Sequence, residues 1–482
     1  MTSKSSLPGE MPGVINIGLR GFATELAARG VPVAHVDWRP PRPGHERAAH
    51  LLAWLGRHEA RIARANAEGL RRMLAANPVL VDVQPAGKVI SELVKAVGNR
   101  MVLHAGPPIE WTRMCGPMRG AIAGAIVFEG WAADLKAAAK LAASGGVQFH
   151  PNHHYGAVGP MTGITTRSMP VMVVENRAFH NRSYCMINEG LGKVMRFGAN
   201  DAEVLARLAW LRDDFGPLLG NALRAAGGLE LAPLISRGLA MGDEMHQRNV
   251  ACSALTLRAL APHFARAARN LDGAETLARS LAFIAGNEQF FLNIGMAMAK
   301  SIMDPVRGIE ACSLVAAMSR NGTDFGIRLS GTGDAWFSAP VEMPQGLYFP
   351  GYSERDANPD MGDSAIMETI GLGAFAMASA PAVMGFVGAG RASDALAFTR
   401  AMGGITLAKN PRWTIPALDG EGVPAGIDVR KVAASGVQPA INTGIAHRKP
   451  GVGQVGAGVA RAPLACFDQA LAGFARCLGF SG

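Results

Sequence analysis

Residues 14–36 read VINIGLRGFATELAARGVPVAHV: an apolar run at 14–17, a glycine loop at 18–21, a helical stretch ending at Arg29, and a second apolar run at 33–36. That alternation is a compact βαβ unit, and the same rhythm continues along the chain. Residues 47–76 read as a long amphipathic helix, 79–83 as a buried strand, 88–97 as a helix, 101–104 as a strand and 118–143 as another long helix. Apolar runs at 147–149, 171–174 and 184–187 close the series. Strands alternating with helices imply a parallel sheet covered on both faces, so residues 1–198 are expected to form a Rossmann-like α/β domain.

From 201 to about 299 the period becomes helical, broken at Gly216-Pro217, Gly227-Gly228 and Asp272-Gly273, which predicts a helical section over 199–303. Beyond it, expected strands at 325–329 and 335–337 and turns at Pro350-Gly351 and Asn358-Pro359 predict a second α/β domain over 304–482. A chain of 482 residues exceeds one ordinary core, which agrees with such a division. With 49% hydrophobic and 18% charged residues it is a folded chain, not a disordered one. Its 59 glycines, against roughly 34 at average usage, predict many tight loops.

The net charge of +9 comes from scattered Lys and Arg without basic blocks or interleaved aromatics, so nucleic acid is not the expected partner; small anions such as carboxylates and phosphates are. The six cysteines, Cys115, Cys185, Cys252, Cys312, Cys466 and Cys477, are widely spaced and read as reduced, mostly buried thiols. Residues 1–10 lack a secretory pattern, and the expected location is the cytoplasm. The uncharged stretch 370–390 is long enough to span a bilayer, but its Gly, Ala and Ser content and Pro381 predict a buried helix pair instead. Such glycine-rich apolar helices also suit a homo-oligomer.

Several polar, glycine-rich segments at strand ends can carry chemistry. Gly18 to Gly21 is either an ordinary turn or a backbone cradle for phosphate, with Asp37 closing the next strand where a ribose-binding acid would sit; the full dinucleotide fingerprint is absent. Arg119, in the first turn of a helix, either reaches solvent or helps that helix hold an anion. Segment 150–160, HPNHHYGAVGP, gathers His150, His153 and His154, which serve either a structural turn or acid–base and oxyanion chemistry. No cysteine pattern or H-E-x-x-H accompanies them, and neither metal nor cofactor is expected. Glu189 and Lys193, set among glycines, form either a mutual salt bridge or a substrate clamp. In 242–249, helical spacing would put Glu244 and Arg248 on one side and Asp243 and His246 on its neighbour, as a solvated face or as a buried network. Asn321 and Ser330 stand at the two ends of a strand. Asp363 or Ser364 is placed to cap a helix with Glu368 one turn in, and 441–458 carries Asn442 and His447 before alternate glycines that suggest a loop near a ligand or another chain.

Together the segments INIGLRGFA, HAGPPIEW, GPMRGAI, NHHYGAVGPMTG, INEGLGKVMRFGA, MGDEMHQRN, MSRNGTDFGIRLSG, MGDSAIMET and INTGIAHRKPGVGQVGAG closely resemble the YlbE/YahG (AllG) family over about 14–466. That family includes a subunit of bacterial oxamate carbamoyltransferase. The resemblance implies carbamoyl transfer between carbamoyl phosphate and oxamate, giving oxalurate and phosphate, in allantoin and purine catabolism. It also implies a multi-subunit complex with an FdrA-like subunit, itself similar to an acyl-CoA synthetase, and a third small subunit. The S-T-R-T segment with which ornithine and aspartate transcarbamoylases grip carbamoyl phosphate is absent, so the resemblance implies a different site.

Carbamoyl transfer needs cations or helix N-termini for phosphate, a donor for the tetrahedral oxyanion and a base for a weakly nucleophilic amide nitrogen. The candidates are His153 or His154 for proton transfer or oxyanion stabilisation, and Glu189, Asp243 or Glu244 as base. Arg119 and Lys193 are the candidates for anion binding, Asn321, Asn442 and His447 for orienting the substrate, and His246, Arg248, Ser330, Asp363 and Ser364 for further substrate contacts. The competing readings are an acyl- or carbamoyl-phosphate-linked ligase subunit and a non-catalytic scaffold of an FdrA-like complex.

Overall fold

The structure, a computed structural model, describes residues 13–36, 45–95, 100–268 and 274–481. Asp37 and the Asp272-Gly273 break lie outside the described residues. The fold is mixed α/β. Strands Val14–Ile17 and Val33–Val36 pair in parallel around the helix Arg20–Ala28, as the opening stretch predicts. The long helix expected over 47–76 is two helices, Glu46–Gly56 and Glu59–Ala75, and that expected over 118–143 is Gly116–Phe128 and Leu135–Ala143. In the second pair Asp134 stops continuation by capping the new helix, its carboxylate accepting from Ala137 N at 2.7 Å.

Parallel pairing also joins Met101–His104 to Gln148–Pro151 and Ala157–Val158 to residues 184–185. In the five-stranded sheet, however, Pro78–Pro85 pairs antiparallel with Pro170–Asn176, and that strand with Asn181–Met186. The cause is local. Residues 177–180 form a short reversal with His180 at φ 57°, and so short a connection permits only antiparallel neighbours.

The helical middle packs onto this sheet. Every residue of the helix Phe290–Met303 is buried, and one apolar cluster joins it to Leu80, Leu219, Met367 and Trp413, so residues far apart in sequence share packing. Its polar members are satisfied: Asn293 donates to Met186 O (2.8 Å) and accepts from Asn188 Nδ2 (2.8 Å).

Beyond residue 304 the strands are antiparallel. One sheet runs in the order Phe337–Pro340, Asp324–Leu329, Val315–Asn321, Met361–Gly362, and another in the order Gln345–Tyr348, Gln454–Arg461, Ala440–Ala446. Of the alternate glycines expected to form a loop, Gly451 and Gly453 lie in the connection before Gln454–Arg461, whereas Gly456 and Gly458 lie within that strand, where a Cβ at Gly458 would sit 2.5 Å from the Gln345 carbonyl oxygen; these two admit a neighbouring strand. Residues 361–380 are all buried, and the uncharged stretch is broken into a 3₁₀ turn, Gly373–Ser379, and the helix Pro381–Phe386. Among the described residues no helix is long and apolar enough to cross a membrane.

Candidate active-site cleft

A cleft of about 410 Å³ opens between the middle and C-terminal sections, walled by Gln247, Arg248, Gln289, Phe349, Phe386 and Gln454. A smaller recess of about 20 Å³, room for one water or a terminal ligand oxygen, adjoins it. Arg196, His246, Ser364 and Thr443 line that recess, and Leu191, Gln247, Gln289 and Gln454 border both spaces.

His246 reaches the recess from residues 242–249, which connect the helices Ala232–Ala240 and Val250–Ala267. The helical spacing expected there is not adopted. Gly242 and Met245 take φ of 95° and 65°, and the Glu244 carboxylate folds the segment around itself, accepting from Gln247 N (2.5 Å), Arg248 N (2.6 Å) and His246 N (3.2 Å). Asn442 Nδ2 donates to the same carboxylate at 3.1 Å. A carboxylate that organises three backbone donors favours a loop over a helix, whose backbone would bind itself. Burial pushes the Glu244 carboxyl up to about 7, against the pull of neighbouring His246. Asp243 accepts from Cys252 N (2.8 Å), and burial raises it too.

The imidazole of His246 is held by a residue that sequence reasoning left in a capping role. Its Nδ1 lies 2.7 Å from Glu368 Oε1, and both side chains are buried. An ionised carboxylate only accepts, so this contact fixes the proton on Nδ1 and leaves Nε2 as an acceptor for the recess. Glu368 Oε1 also accepts from Ala374 N (3.1 Å) and Asn442 N (3.3 Å), while Oε2 is buried without a partner. Gly373, at φ 60°, makes the approach possible: a Cβ there would sit 2.6 Å from the Glu368 carboxyl carbon and 3.1 Å from His246 Cβ, and would strike Oε1.

The opposite wall is built on Arg320, fully buried on the strand Val315–Asn321. It donates to both Asp360 oxygens (2.6 and 3.3 Å), to Gly362 O (2.7 Å), to Ser364 Oγ (3.1 Å) and to Thr443 Oγ1 (3.2 Å). Both recess hydroxyls are thereby fixed. Arg196 was also missed, although INEGLGKVMRFGA sets an arginine among apolar residues before a glycine. Its Nε and Nη2 both donate to Gly190 O (3.2 and 2.8 Å), leaving Nη1 for the recess, and burial lowers it to about 10, still charged at neutral pH. Glu189 does not pair with Lys193; its oxygens accept from Met195 N (2.9 Å) and Arg196 N (3.1 Å) and so set the arginine's position.

Of the sequence candidates, His246, Arg248 and Ser364 thus line the cleft or recess, with Glu244, Asn442, Glu189 and Asp243 supporting them. Asp363 does not cap its helix; fully buried, it accepts from Gly106 N (3.1 Å), Gly159 N (2.9 Å), Asn152 Nδ2 (3.0 Å) and the Ser319 hydroxyl. His153, with Nε2 3.4 Å from Asp363 Oδ1, and His154 lie behind it. The others have local partners. Arg119 donates to Thr112 O (2.7 Å) and covers Trp111, Lys193 pairs with Asp201, and Asn321 accepts from Thr323 N and Asp324 N. Ser330 donates to Val306 O, and His447 accepts from Lys449 N (2.9 Å). Among the described residues no group of three or more His, Cys, Asp or Glu is arranged to hold a metal.

Known proteins resemble this chain in sequence and fold. A family model described as oxamate carbamoyltransferase subunit AllG matches residues 147–364, which include Arg196, His246 and Ser364. The oxamate carbamoyltransferase subunit AllG of Escherichia coli (strain K12) is 51% identical over 420 residues, 87% of this chain and 99% of that one. The uncharacterized protein YahG of the same strain is 41% identical over 471 residues, 97% of this chain and 98% of that one. A crystal structure of a conserved protein of unknown function from Enterococcus faecalis V583 matches with a TM-score of 0.84 at 42% identity, over 87% of this chain and 99% of that one. Alike in fold to that structure and in sequence to both Escherichia coli proteins over nearly their whole lengths, the chain belongs to the family of the oxamate carbamoyltransferase subunit AllG.

Proposed function

We propose that this chain is a carbamoyltransferase subunit that binds oxamate and carbamoyl phosphate in the cleft, and that transfer takes place at the recess. The observation that carries this reading is the convergence of a carboxylate-held imidazole, a buried guanidinium and two fixed hydroxyls on one water-sized space. In the step we envisage, the amide nitrogen of oxamate attacks the carbamoyl carbon and gives its proton to His246 Nε2. The bond from that carbon to the phosphate oxygen breaks, and phosphate leaves with the electron pair. Glu368 stabilises the imidazolium, as a carboxylate does when it holds a general base. Arg196 Nη1 binds a carboxylate or phosphoryl oxygen, and the side-chain amides of Gln247, Gln289 and Gln454 suit a planar amide substrate.

On this reading the products are oxalurate and phosphate, in cytoplasmic allantoin and purine catabolism. An FdrA-like subunit and a third small subunit complete the complex. The test is phosphate release from carbamoyl phosphate on adding oxamate, first with this chain alone and then with both partners. Oxamate-dependent release is expected, and activity of the chain alone would place the centre in it. Absence of release from the full complex would refute oxamate as acceptor, and release only with ADP or ATP would favour the ligase reading. Within an active complex, Arg196→Gln should raise KM for the anionic substrates by about tenfold or more, the loss of one charge-assisted hydrogen bond.

A further inference from the structure

Behind Asp363, away from the recess, three cations converge with too few acceptors. Lys300, on the buried helix Phe290–Met303, and Arg328, on the strand Asp324–Leu329, are 2% and 1% exposed. Arg307 follows in the turn after that helix. Lys300 Nζ donates to Asp304 Oδ1 (2.7 Å) and to the His153 carbonyl (3.1 Å); Arg307 donates to Asp304 (3.3 Å) and Asp334 (2.6 Å); Arg328 Nη2 donates to Asp334. Three positive charges thus share two carboxylates, and the Asp334 side chain is 82% exposed. It meets the arginines from the solvent side.

The donors left over are the decisive observation. Arg328 Nε and Nη1 and Arg307 Nε are buried without a hydrogen-bond partner, and so are the two ring nitrogens of His153, of which a neutral imidazole protonates one; Nε2 lies 3.4 Å from Asp363 Oδ1. Guanidinium N–H groups only donate, so burial without an acceptor is costly, and an anion satisfies them while balancing the surplus charge. Trp336 closes the cluster. Its Nε1 donates to His154 Nε2 at 2.8 Å, and its ring lies 5.8 Å from that of His153 and 5.6 Å from the Arg328 guanidinium carbon. Burial and the nearby cations hold both histidines below their ordinary value, as expected for neutral imidazoles beside an unneutralised positive cluster.

We propose that Arg328, Lys300, Arg307 and His153 form a pocket for a small oxyanion, a carboxylate or a phosphate, separate from the cleft. The Arg328 edge carrying Nη1 and Nη2 grips two oxygens of the ligand once Asp334 releases Nη2, and His153 donates a third hydrogen bond from one ring nitrogen. Asp334 is the counter-ion that gives way when the anion enters.

The test is calorimetric titration of the full chain with inorganic phosphate and, separately, with acetate. Arg328→Gln should weaken binding by about tenfold or more, the consequence of losing a charge-assisted pair, whereas Arg196→Gln in the cleft should leave this binding event in place. A crystal soaked in selenate should show anomalous density beside Arg328. Binding that survives Arg196→Gln and falls in Arg328→Gln supports the pocket, and whether phosphate or acetate gives it identifies the ligand as a phosphoryl group or a carboxylate. Binding of neither, or equal binding by wild type and folded Arg328→Gln, would overturn it. So would loss of all anion binding in Arg196→Gln. Should Arg328→Gln fail to fold, His153→Gln keeps all three cations and removes the imidazole, and its binding must still fall below that of wild type.

Discussion

Glu368→Gln isolates what the buried carboxylate does for His246. The substitution keeps the shape, because the amide oxygen can still accept from His246 Nδ1, Ala374 N and Asn442 N, now at 2.7, 3.1 and 3.3 Å from Oε1. What it removes is a unit charge beside the imidazolium that forms when His246 takes the substrate's proton. With charge centres about 4 Å apart and an effective dielectric of about 20, that interaction is worth about 4 kcal/mol, or about a thousandfold in rate. Since the imidazolium arises only as the reaction proceeds, kcat should carry nearly the whole loss, with KM changing by less than about threefold. The assay is oxamate-dependent phosphate release by the assembled complex, with circular dichroism confirming the fold. A folded Glu368→Gln variant retaining a kcat within about fivefold of wild type would refute the assignment, because a dyad of this kind cannot lose its charge so cheaply.

Gly373→Ala places a methyl group against Glu368 and His246 in a left-handed backbone conformation. It should cost about 1–2 kcal/mol from the backbone alone, with a further loss from displacing the dyad, measured by urea denaturation and by kcat. Arg320→Met leaves Asp360 buried without its ion pair and should destabilise by about 3–5 kcal/mol, read from the same denaturation midpoint. Glu244 gives a pH test: its folded value of about 7 stands above the ordinary 4.5, so the folded state keeps this proton longer than the unfolded chain does. Its contribution is fully present below about 4.5 and is lost as pH rises through about 7, a change of about 3 kcal/mol at about 1.4 kcal/mol per pH unit. Glu244→Gln should flatten the fall in stability over that window, whatever its own cost in hydrogen bonds, and an unchanged slope would sink the claim.

The parts of this molecule legible in the sequence are those set by local patterning. The opening βαβ unit and the strands 79–83 and 325–329 follow from apolar runs bounded by turn residues. Strand direction was not legible for Pro170–Asn176, because a short reversal after it, not a helical crossover, decides its neighbour. The segment 242–249 has helical spacing, yet Glu244 captures backbone N–H groups that a helix would need for itself. The site shows the same boundary. MGDEMHQRN and MGDSAIMET mark themselves as polar islands in apolar sequence, but 122 positions separate His246 from Glu368, and no local pattern announces that their side chains meet. Arg320 and Arg196 stayed hidden because an arginine beside strand or loop residues ordinarily reaches solvent; only tertiary packing buries these two.

The density of buried charge is itself an argument about what the fold maintains. Arg320, Asp360, Asp363, Glu244, Glu368, Lys300 and Arg328 are all nearly or fully inaccessible to solvent, and apolar side chains of similar volume would often serve stability as well or better. Asp363 and Ser364 are consecutive, yet the carboxylate faces the histidine cluster while the hydroxyl faces Arg320 and the recess. The 3₁₀ turn Asp363–Ala365 is therefore a thin wall with polar chemistry on both sides, held by Gly362 at φ 124°, where a Cβ would sit 2.7 Å from Met161 N. A movement of that wall cannot alter one side alone. Displacing Asp363 from Gly106 N and Gly159 N also shifts the hydroxyl that Arg320 presents to the recess, so an anion bound beside His153 and a substrate bound beside His246 meet through two adjacent residues. Coupling between the two sites then needs no long relay, only the rigidity that these buried hydrogen bonds supply.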